Sequence, residues 1–168
     1  RFLCIETRGH SKGHMCLYEP RKKILISGGH LLKDDVPSIR GKIDNRNVLT
    51  QYLLSLDKVE VLDIDIVLPG HGDHFSNCRK RIKELKEYHM EKKHKIIDIL
   101  QSGSKNIYET ASQMVWDTRC DSWDSLSVAQ KFFATGETYA YLEYLEGTGE
   151  IERKMKKQTA VYSLKEIH

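Results

Sequence analysis

Apolar positions in the first 75 residues recur with a period of two, in short runs broken by turn residues. Leu3, Ile5 and Thr7 alternate with Phe2, Cys4 and Glu6, the pattern of a half-buried strand. A second strand is predicted over 14–18 and a third over 23–27, around the apolar run Ile24-Leu25-Ile26. Glu19-Pro20-Arg21-Lys22 supplies the turn between them. The period then lengthens. Over 45–56, Val48, Leu49, Tyr52, Leu53 and Leu56 fall on one face at helical spacing. Residues 64–68 return to a strand, which ends at Pro69-Gly70.

Beyond residue 77 the helical period dominates. Residues 79–101 predict a long basic amphipathic helix anchored by Ile82, Leu85, Ile96, Ile99 and Leu100, broken at Ser102-Gly103-Ser104. Asn106 with Glu109 three residues later is a capping box for a second helix carrying Ile107, Ala111, Met114 and Val115. A third helix starts at Ser125 or Ser127. It runs through Val128, Phe132, Tyr139, Leu142 and Leu145 to a stop at Gly147-Thr148-Gly149. Residues 151–155 and 160–164 alternate around a polar turn as a hairpin. Three helices and a hairpin make a winged-helix-like arrangement. The chain thus reads as α+β in two parts, 1–76 and 77–168.

Composition narrows the function classes. With 39% hydrophobic and 30% charged residues, the 168-residue chain fits a globular protein with a modest core. A net charge of +3 is too small to imply a nucleic-acid partner without local clustering. No apolar run approaches the roughly 20 residues of a membrane span, so no membrane partner is expected. Cys4, Cys16, Cys78 and Cys120 form no Cys-x-x-Cys pair; they read as reduced, buried structural thiols of a cytoplasmic protein.

The chemistry gathers where predicted strands end. Thr7-Arg8-Gly9-His10-Ser11-Lys12-Gly13-His14, Ser27-Gly28-Gly29-His30 and Leu68-Pro69-Gly70-His71-Gly72 follow in that order. In order and separation these segments resemble the later motifs of the metallo-β-lactamase-fold hydrolases, over residues 2–76. The resemblance implies the second half of an αββα sandwich and, in an intact parent protein, two zinc ions that activate water against an ester, thioester or phosphodiester. It implies that His10 supplies one metal and His71 the other. The family's bridging aspartate corresponds to Gly29, which has no side chain to coordinate with. The family's first signature, His-x-His-x-Asp-His, is absent from the sequence. The expectation is therefore a truncated or fragmentary hydrolase, with no catalytic residue of its own assigned and little or no zinc held.

His14 reads as a structural hydrogen-bonding residue near the site. His30 is a poor substitute ligand, because adjacent strand residues point in opposite directions. His74, His89, His94 and His168 read as surface or helix-face residues, and Asp63 and Asp65 as solvated carboxylates or orienting partners of a ligand. Residues 79–164 resemble the winged-helix-like extension of one branch of these hydrolases, most tellingly in Phe132-Phe133-Ala134-Thr135-Gly136-Glu137-Thr138 and Ala140-Tyr141-Leu142-Glu143-Tyr144-Leu145.

Other readings stand beside the hydrolase. A non-catalytic binding or assembly module is one. A winged-helix RNA or DNA binder is another, using Arg79-Lys80-Arg81-Lys83 and Arg153-Lys154-Met155-Lys156-Lys157 to track phosphates. Gln130 and Lys131 aside, the third helix turns acidic and aromatic, which suits packing better than groove reading. Trp116 and Trp123 read as packing residues. A small molecule or RNA is the expected substrate of the parent. Half a sandwich leaves a sheet edge and an apolar face, which a homodimer or swapped oligomer is expected to cover.

Overall fold

The computed structural model describes residues 1–41, 47–116 and 122–165. The protein is α+β and falls into two compact units. One comprises 1–39 and 48–89, the other 40–47 and 90–168. The division lies inside a helix, well beyond the change of character read at 76/77 in the sequence.

The first unit is built on a four-stranded sheet, β1 (Leu3–Glu6), β2 (Met15–Glu19), β3 (Ile24–Gly28) and β4 (Ile66–Pro69), in that spatial order. The first two pairings are antiparallel and β3–β4 is parallel, as a helical crossover between them requires. The crossover is α1 (Val48–Glu60). It has the period read in the sequence: Val48, Leu49, Tyr52, Leu56 and Val59 are all fully buried. Cys16, Tyr18, Leu25 and Val67 alternate onto the buried face of the sheet. Burying each large apolar side chain contributes about 1.5–3 kcal/mol.

Helix α2 (Cys78–Gln101) begins in this unit, adding Ile82, Leu85 and His89 to its core. Lys86 braces the start of α2 against α1, reaching both Asp57 and Glu60 at 2.6 Å. His89, read as a surface or helix-face residue, lies on the buried face of α2. It is fully buried, with its ring edge-on to Tyr52 at 5.4 Å. Cys16 and Cys78 are buried thiols, whereas Cys4 is exposed on the edge strand and departs from the buried reading. Cys120 and His168 lie outside the described residues.

The second unit holds the rest of α2, then β5 (Lys105–Asn106), α3 (Ile107–Ala111), α4 (Val128–Gly147), β6 (Ile151–Lys156) and β7 (Thr159–Leu164). Its sheet order is β5-β7-β6, so the two-residue β5, which has no alternation to betray it, adds to the expected hairpin. The Asn106–Glu109 capping box forms in both directions, at 2.9 and 2.8 Å. Ser127, not Ser125, caps α4 and pairs reciprocally with Gln130. The core is Ala140, Tyr141, Leu142 and Leu145 of α4 with Ile151 and Tyr162 of the hairpin.

Three residues read as apolar helix anchors lie in the open. Val115 falls beyond the end of α3 and is exposed, and Val128 and Phe132 are exposed on the first turns of α4. Trp116 donates to Ala111 O at 2.8 Å and Trp123 to Tyr108 Oη at 3.0 Å, a packing role for each. Among the described residues no helix is long and apolar enough to cross a membrane.

Candidate functional site

The parallel pairing of β3 with β4 sets the site. Gly28 lies opposite Pro69, and Gly70 N–H donates to Gly28 O at 2.8 Å. The segments Gly28-Gly29-His30 and Gly70-His71-Gly72 therefore leave the sheet side by side, at the carboxyl ends of their strands. The loop from β1 to β2 reaches the same edge. It is closed by Thr7 N–H donating to His14 O at 2.9 Å. Gly9, with φ of 128°, lets this loop press against α1; a Cβ there would meet the Tyr52 backbone at 2.5 Å.

His10 and Gly29 come together. His10 is exposed, and its Nδ1 donates to Ser38 O at 3.2 Å. In the neutral ring this leaves the lone pair on Nε2. That atom lies 2.7 Å from where a Cβ of residue 29 would stand. The imidazole thus lies over the glycine, in space a side chain at 29 would need. His71 occupies the neighbouring loop. It is exposed, and its Nδ1 lies 3.9 Å from Asp35 Oδ2, too long for a hydrogen bond and in a solvated setting where an ion pair is weak. His74 is exposed on the same loop.

Behind His10 the rings continue into the core. His14 lies edge-on to His10 with centroids 6.0 Å apart, His30 follows at 5.9 Å, and Tyr52 packs on His30 at 5.1 Å. His14 is fixed through Nδ1, which shares a hydrogen bond of 2.8 Å with Thr7 Oγ1, the donor depending on the tautomer. Its Nε2 faces Gly28, whose φ of 52° turns the chain out of the strand. Partial burial, and then the neighbouring His10, lower the pKa of His14.

His30 is fully buried, and neither ring nitrogen reaches a hydrogen-bond partner. Burial first and His14 second push its pKa down to about 3. It is a neutral core residue. Thr7 and Cys16 continue the polar seam beneath the site at 3.3 Å, and burial raises the Cys16 thiol to about 11, which removes it as a nucleophile at neutral pH. Sequence reasoning missed the inward turn of His30. The alternation Ile24-Leu25-Ile26 carried past the strand end gives no side for it, because Gly28 and Gly29 break the register.

These residues do not fit a two-ion centre. Among the described residues no three His, Cys, Asp or Glu side chains are arranged to hold a metal ion. The position between His10 and the strand end carries no carboxylate, and the most buried imidazole faces the core. Asp63 and Asp65 sit at the opposite end of β4, where Asp63 pairs with Lys23 at 2.8 Å, so they do not orient His71.

Comparison with known proteins identifies the architecture. The family model of the metallo-β-lactamase superfamily matches residues 2–71. A β-lactamase-like protein 2 homologue of Caenorhabditis elegans is 27% identical over 97 residues, 58% of this chain and 30% of the relative. A metallo-β-lactamase family protein from Thermus thermophilus superposes with a TM-score of 0.79 at 27% identity, over 98% of this chain and 50% of its own. A β-lactamase domain protein from Burkholderia ambifaria does so with a TM-score of 0.89 at 26% identity, over 98% and 48%. The chain spans about half the length of these solved relatives and less than a third of the curated one. With their glycine-broken strand ends and the loop histidines they present, residues 2–71 match the metallo-β-lactamase superfamily, and the chain shares the fold of these solved relatives.

Proposed function

We propose that this chain carries one side of a metallohydrolase centre, with His10 and His71 at the ligand positions for two separate zinc ions. Hydrolysis of an ester, thioester or phosphodiester, of a small molecule or RNA, belongs to an intact member of the superfamily. By itself the chain is a non-catalytic member. The observation that carries this reading is the imidazole of His10 lying over Gly29, its Nε2 2.7 Å from the absent Cβ. One imidazole per ion and no bridging carboxylate leaves water as the stronger competitor for each cation.

The test is elemental analysis of the purified chain after exhaustive dialysis, with hydrolysis of p-nitrophenyl acetate and bis-p-nitrophenyl phosphate measured in added zinc. The expected result is far less than one zinc per chain and no rate above that of free zinc. Two tightly held equivalents, or zinc-dependent turnover abolished by His10→Ala and His71→Ala, overturn it.

A further inference from the structure

We draw no further inference here: the strongest candidate, the surface patch of Val128, Phe132 and Phe133 exposed on the first turns of α4, carries nothing, because its cations Arg40 and Lys131 already lie over the Phe133 and Trp123 rings and nothing in the structure shows what covers it.

Discussion

A Cβ at residue 29 would stand 2.7 Å from His10 Nε2, whereas one at residue 28 would stand 2.8 Å from His14 Nε2 with φ at 52°. The two glycines therefore respond differently. His10 is exposed and held only by Ser38 O, so Gly29→Ala should cost about 1 kcal/mol, the value of that hydrogen bond as the ring swings aside. In a His10→Ala background the same substitution should cost nothing measurable, a coupling that denaturant melts of the double-mutant cycle will read. Equal cost in both backgrounds would show that the ring is not what fills the space. Gly28→Ala should cost more, about 1–2 kcal/mol, because the left-handed backbone is strained for any L side chain. His30 adds a pH dependence whose sign is fixed by its burial. The unfolded chain takes a proton near 6.5 and the folded one only near 3, so the unfolded state binds more protons throughout the interval. Stability is complete above about pH 6.5 and falls by about 1.4 kcal/mol per unit as the pH drops toward 3. The loss should reach about 2 kcal/mol between about pH 7 and pH 5. His30→Leu should flatten that slope in urea melts at the two pH values; an unchanged slope would assign the effect elsewhere. The loops that carry His10 and His71 were legible because Gly-His-Ser and Pro-Gly-His-Gly mark strand ends. His30 was not, since its orientation is decided by the cavity against Tyr52 rather than by any local signal.

The elements were legible wherever burial ran along one face, and least so where only one end of an element met the core. Helix α1 and the buried rows of β2 and β3 follow the hydrophobic period closely. In α4 the period is present in the letters, yet Val128 and Phe132 extend beyond what the unit's core can cover, and its buried stretch begins at Ala134. The first turns of α4 are thus held by capping rather than packing. Ser127 Oγ accepts Gln130 N–H at 3.2 Å while the Gln130 side chain accepts Ser127 N–H at 2.8 Å. Ser127→Ala should destabilise the chain by about 1 kcal/mol and speed amide exchange over 128–132. Unchanged exchange there would mean that something other than the cap holds the helix start. The α3 cap is a parallel case: Asn106 and Glu109 could be read from their spacing, but the end of α3 could not. Met114 turns into the core through a non-helical turn, N–H to Ala111 O at 3.3 Å, leaving Val115 outside.

At the scale of the molecule, the chain does not divide where its composition changes. The first unit closes only with the opening half of α2, whose Ile82, Leu85 and His89 are fully buried within it, while residues 40–47 leave it for the second unit and the chain returns at Val48. A cut at 76/77 strips the sheet of that helix. It removes about three large side chains from the core, each contributing about 1.5–3 kcal/mol on burial, against a net domain stability of about 5–15 kcal/mol. It also removes Lys86 from Asp57 and Glu60. Residues 1–76 alone should therefore lack a cooperative fold, with collapsed amide dispersion in a proton–nitrogen spectrum, while the full chain is dispersed. A folded 1–76 fragment would show that the sheet and α1 suffice, and would return the boundary to the point where the basic helix begins. The physical reason for the mismatch is that the charge pattern of α2 reports its solvent side. Its buried stripe of one residue in three or four is what assigns each half to a unit, and that stripe runs from Ile82 to Leu100.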